Sequence, residues 1–89
     1  MKLNENYALR QVADTWVVLP LGAELLNFDG MLRLNNSGVL LWKALENGAD
    51  LDVLVNALLE EYEVSREQAE ADVKQFVQTL ERIGCIKTE

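Results

Sequence analysis

Apolar positions change their spacing a little over a third of the way along this chain. In the first part they alternate or gather in short β-branched runs, the spacing of half-buried strands. Tyr7 and Leu9 alternate with polar neighbours, and after Arg10 the pattern shifts to Val12 and Ala13, which predicts a strand with a slip or bulge near Gln11. Asp14-Thr15 reads as a turn and Trp16 to Leu19 as a second strand, ended or placed at an edge by Pro20. Leu21 to Glu24 leads into a strand-like piece, Leu25 to Phe28. Asp29-Gly30 is the strongest hairpin signal in the chain, and Met31 to Asn35 returns as the last strand.

From Asn35 onward the spacing is three and four residues. Asn35, Asn36, Ser37 and Gly38 form a capping cluster whose side-chain oxygens can accept from first-turn amides. Val39, Leu40, Leu41, Trp42, Ala44 and Leu45 make a short apolar helix that Gly48 stops. Asp50 caps a second helix, with Leu51, Leu54, Val55, Leu58, Leu59 and Tyr62 on one face and Asp52, Asn56, Glu60 and Glu61 opposite. Ser65 with Gln68 reads as a capping box, and Val64 with Ala69 as its hydrophobic staple. The third helix carries an inward stripe of Ala69, Val73, Phe76, Leu80 and Ile83, widened by Val77. Gly84 is its C-cap, Cys85-Ile86 tucks back on the core, and Lys87 to Glu89 is a frayed tail. The predicted fold is α+β and winged-helix-like: a small antiparallel N-terminal sheet of three or four strands, then a three-helix bundle.

Length and composition narrow the function. Residues 1–89 make one domain, which buries roughly 60–65% of its unfolded surface, leaving little room for a lidded enzyme cleft. No apolar run is long enough to cross a bilayer and no signal-peptide pattern opens the chain, so a cytoplasmic protein with no membrane partner is expected. The net charge is −7. Residues 36–89 hold eleven acidic and five basic side chains against four and three before them, so the acidity belongs to the helical half. Clustered Lys and Arg, the footprint of nucleic-acid binding, are missing.

Chemistry is equally sparse. The chain has no histidine and one cysteine, Cys85, so neither a disulfide nor a zinc site can be built, and a reducing compartment is expected. Cys85 sits between Gly84 and Ile86, as a buried structural thiol would. Glu60, Glu61, Glu63, Asp50 and Asp52 read as a solvated face or as caps rather than as an acid–base pair. The glycines stand at element boundaries and form no phosphate loop. No catalytic residue, metal or cofactor is predicted, and the chain reads as a non-enzyme. Trp16 and Trp42 read as core pieces rather than a ligand-stacking pair. The sheet must leave edges; shortness and Arg33 could simply blunt them, or an extended peptide could add to one.

Met31-Leu-Arg-Leu-Asn-Asn-Ser-Gly-Val-Leu-Leu-Trp42 resembles the PqqD-like segment in which a strand ends in Leu-Asn, a small-residue turn follows and a helix carries a Trp. Leu54 to Tyr62, Val64, Ala71-Asp72-Val73, Phe76, Leu80 and Gly84 are similar to the remainder of that family. The resemblance covers roughly residues 7–86 and rests on the order and spacing of motifs that are individually weak. It implies a recognition element for ribosomally made, post-translationally modified peptides. Such a domain binds the leader of a precursor peptide as an added strand and presents it to a modifying enzyme, often a radical S-adenosylmethionine maturase. Carried over, Met31, Leu32, Arg33, Leu34 and Asn35 form the docking strand, and Asp72, Val73, Phe76, Val77 and Leu80 the helix wall. The stretch Trp16 to Phe28 is longer than the simplest family pattern, which bears on the edge that is free and on any assignment to quinone-cofactor synthesis. Two other readings stand beside this one: a winged-helix DNA-binding regulator, and a structural domain that forms homodimers through a free strand edge.

Overall fold

The computed structural model describes residues 1–21 and 32–87. The predicted strand-like piece Leu25 to Phe28, the Asp29-Gly30 hairpin, Met31 and the tail residues Thr88 and Glu89 lie outside the described residues.

Three strands, β2 (Tyr7–Val12), β3 (Thr15–Pro20) and β4 (Leu32–Leu34), form an antiparallel sheet in the order β2-β3-β4. A second, two-stranded sheet pairs β1 (Lys2–Leu3) with β5 (Ile86–Lys87). Helices α1 (Asn36–Glu46), α2 (Leu51–Glu61) and α3 (Arg66–Ile83) follow β4 in the chain. The fold is thus the α+β arrangement the hydrophobic pattern predicts, with β1 and β5 as additions.

The β2–β3 hairpin corrects two details. Its register runs without interruption from Tyr7↔Pro20 to Val12↔Thr15, so there is no bulge near Gln11. The turn is Ala13-Asp14, one residue earlier than expected, with Ala13 at φ 55°. Val12 looks out of phase in the sequence because it stands on the outer face at the hairpin tip, where it is half exposed. A two-residue turn needs positive φ at a central position, and here alanine rather than glycine takes it at some conformational cost.

The caps form where their side chains predict. Asn35 Oδ1 accepts from the Gly38 amide at 2.9 Å, Asp50 Oδ1 from Val53 at 2.9 Å, and Ser65 Oγ from Gln68 at 3.1 Å. The first helix therefore starts at Asn36, ahead of its apolar run. Only half of the Ser65 capping box closes, because the Gln68 amide donates instead to Asp72 Oδ1 at 2.8 Å. Val64 is exposed, whereas Ala69 is fully buried. Gly84 ends α3 in the left-handed region (φ 95°), and the Cys85 and Gly84 amides donate back to the Leu80 and Glu81 carbonyls, the pairing of a Schellman cap.

The core gathers Val18 from the sheet, Leu41, Trp42 and Leu45 from α1, Leu54, Val55 and Leu58 from α2, and Ala69, Val73, Val77 and Leu80 from α3. Cys85 and Ile86 close it from below, as their apolar character predicts. Trp42 is a core residue, but Trp16 is only partly buried, with the Lys43 ammonium 5.2 Å above its ring centroid. Leu51 and Tyr62, at the two ends of the expected α2 stripe, are exposed because the stripe outruns its neighbours there.

The chain ends are joined. Lys2 pairs with Lys87 and Leu3 with Ile86, so Lys87 is part of a strand rather than of a frayed tail. Asn4 donates from its backbone to the Cys85 carbonyl (2.7 Å) and from Nδ2 to the Gly84 carbonyl (3.0 Å). The Tyr7 hydroxyl donates to the Ile83 carbonyl at 3.1 Å. These contacts satisfy carbonyls at the C-terminal end of α3 that the helix itself leaves open.

Candidate peptide-binding groove

Among the described residues β4 is an edge strand: it pairs with β3 on one side and with no strand on the other, in the register Trp16↔Leu34, Val17↔Arg33, Val18↔Leu32. The hydrogen-bond alternation of the sheet decides which of its backbone groups stay open. The Leu21 amide donates to the Asn6 carbonyl, which makes 6/21 a bonded pair. Bonded pairs then recur every second residue, at 8/19, 10/17 and 12/15. Val17 therefore spends its N–H and C=O on β2, while Trp16 and Val18 turn theirs toward Leu34 and Leu32. The N–H and C=O of Arg33 consequently point away from β3, along the outer edge. Pro20 obeys the same rule: its missing N–H falls on the β4 side, beyond the Val18–Leu32 pair.

Side chains alternate with the backbone. Leu32 and Leu34 face the helices and pack against the core, and Arg33 faces outward, exposed. Between this edge and α3 lies an open groove of about 770 Å³. Its far wall is Asp72, Gln75, Phe76 and Thr79, at i, i+3, i+4 and i+7 on a single helix face. Leu41 and Leu58 contribute apolar floor, and Ser37 and Gly38 close the end where β4 turns into α1. Gly38 is buried, and a Cβ there would stand 3.3 Å from both Leu34 Cβ and Asn35 Oδ1, so the tight turn leaves little room for a side chain.

Of the predicted site residues, Leu32, Arg33, Leu34, Asn35, Asp72 and Phe76 line this groove. Val73, Val77 and Leu80 do not; they are buried among the helices beneath it. Met31 lies outside the described residues. Gln75 and Thr79 were legible in principle, since they complete the helical spacing that starts at Asp72. Leu41 and Leu58 were not, since only the packing of α1 and α2 shows that their edges reach the groove.

Among the described residues no group of three His, Cys, Asp or Glu side chains could hold a metal ion. Cys85 is fully buried, and burial pushes its thiol up to about 11, away from reactivity. No helix among the described residues is long and apolar enough to cross a membrane.

The family model for coenzyme PQQ synthesis protein D (PqqD) matches residues 16–86, which include all but the first residue of β3, and β4, the groove and all three helices. The chain belongs to the PqqD family. Two solved structures share the PqqD-like fold seen here. One is TbiB1 in complex with the TbiA(beta) leader peptide, at 25% identity and a TM-score of 0.80, covering 100% of this chain and 98% of that one. The other is lasso peptide synthetase B1 complexed with the leader peptide, at 24% identity and a TM-score of 0.77, covering 98% and 96%. No curated protein sequence matches the chain.

Proposed function

We propose that this PqqD-family protein binds the leader segment of a ribosomally made precursor peptide by strand addition at β4 and presents it to the enzyme that modifies that peptide. The observation that carries this reading is the N–H and C=O of Arg33, which point away from β3 and pair with no strand among the described residues, on an edge that stands over an apolar-floored groove. An extended peptide laid there gains backbone hydrogen bonds from β4 and drops alternate side chains toward Phe76, Leu41 and Leu58. TbiB1, similar along its whole length, is described in complex with a leader peptide. The protein contributes no covalent chemistry in this scheme. Its contribution is to raise the concentration of the precursor at the modifying enzyme, a radical S-adenosylmethionine maturase being one candidate.

A winged-helix DNA-binding role is not favoured. α3 carries Glu67, Glu70, Asp72 and Glu81 against Arg66, Lys74 and Arg82, and the Arg66 guanidinium lies beside Glu70 (3.2 Å) and Asp52 (3.8 Å). Titration of fluorescently labelled leader peptides, taken from precursors encoded beside the gene, tests the proposal. Saturable binding is expected, and weaker binding with the leader's apolar residues replaced by serine. Binding by none of them overturns it.

A further inference from the structure

The outer face of the sheet holds a feature that strand addition alone does not use. Arg10, Val17 and Arg33 stand side by side across β2, β3 and β4, because Arg10↔Val17 and Val17↔Arg33 are directly opposite; Val17 is buried, and the arginines on either side of it are exposed. Arg10 already has a partner, donating from Nη1 to the Leu9 carbonyl at 2.9 Å. The exposed Arg33 guanidinium makes no hydrogen bond or ion pair among the described residues, in a chain whose net charge is −7. That cation, without a partner among the described residues, stands at the end of the row where an added strand would lie.

Resting on the strand-addition reading above, we propose that the bound peptide carries an acidic residue opposite Arg33, flanked on both sides by apolar residues. The reasoning is geometric. Residues directly opposite one another in a sheet project to the same face, whichever way the added strand runs. The peptide residue opposite Arg33 therefore emerges on the outer face beside the guanidinium. Its neighbours, opposite Leu32 and Leu34, turn inward to the groove and its apolar floor. The preferred segment reads apolar–acidic–apolar. Its central charge selects among peptides that the backbone pairing alone would accept.

The test is a selection of random displayed peptides on the wild-type protein and on Arg33→Glu, followed by anisotropy titration of enriched peptides with Glu or Lys placed at the central position. For wild type a Glu-over-Lys preference of about three- to tenfold is expected, inverted in Arg33→Glu and reduced at high salt. Enrichment of alternating apolar peptides with no charge preference at the centre, unchanged by Arg33→Glu, overturns this inference and leaves strand addition standing. Failure to enrich any extended apolar pattern, or enriched peptides that bind a folded Arg33→Pro variant undiminished, overturns strand addition and this inference with it.

Discussion

Replacing Arg33 by proline separates backbone from side chain at the proposed docking edge. The Arg33 N–H points away from β3, so its loss removes no bond of the β3–β4 ladder, where Leu32 and Leu34 carry the pairing. Leu32, the residue before the proline, is already in a strand, a conformation the proline ring tolerates. Stability should fall by on the order of 1 kcal/mol, or about 4–8 °C in Tm for a domain of this size. Binding should suffer far more. The peptide carbonyl that would accept from Arg33 is left without a donor and faces the proline ring, a penalty of about 1–3 kcal/mol. That is a weakening of about 5- to 150-fold. Arg33→Ala keeps the N–H and should lose only the side-chain share, about two- to fivefold. Circular dichroism and a melting curve establish that both variants fold, and anisotropy titration with labelled leader peptide then compares them. A folded proline variant that binds within about twofold of wild type would refute the assignment of β4 as the docking edge.

Other positions test the groove and its frame. Phe76→Ala, on the groove wall and only partly buried, should weaken peptide binding with a modest loss of stability. Leu80→Ala, fully buried beneath it, should cost about 2–5 kcal/mol in denaturant unfolding; the reverse order would show that the groove lies elsewhere. Gly84→Ala places a Cβ at φ 95°, where strain rather than crowding opposes it, and should lower stability by about 1 kcal/mol in thermal melts. For Cys85, the folded-state pKa of about 11 lies above the ordinary value of 9.0, so the protonated thiol favours the folded state. That stability is fully present below pH 9 and is lost as pH rises toward 11, a slope that Cys85→Ala should remove. Alkylation of the native protein near neutral pH should be slow unless denaturant is added.

What was legible in the sequence was local. The caps at Asn35, Asp50 and Ser65 act within three residues, so their side chains announce the helix starts wherever the rest of the chain goes. The core face of α3 was legible from its spacing, but that same spacing could not say which of its flanks stays open. Phe76 borders the groove whereas Val73, Val77 and Leu80 fill the interior. The division depends on where α2 and β4 pack, which is tertiary information. β1 and β5 were invisible for a related reason. Two-residue strands carry no periodicity, and their partners are more than 80 residues apart. The turn at Ala13 was misplaced because alanine gives no sign of a positive φ, and Val12 at the hairpin tip imitated a shift of phase.

The pairing of Lys2 with Lys87 has a practical consequence for building with this domain. Partners in adjacent strands stand about 5 Å apart, so the entry and exit of the polypeptide share one corner. Two linkers leaving that corner could splice the domain into a loop of a host enzyme without stretching either chain. A circular permutant joined there by a few glycines, and opened instead at an exposed loop such as that after Tyr62, should keep β4 and α3 as neighbours. Either arrangement would turn peptide capture into a portable module, mounted at a single point on a chosen catalyst.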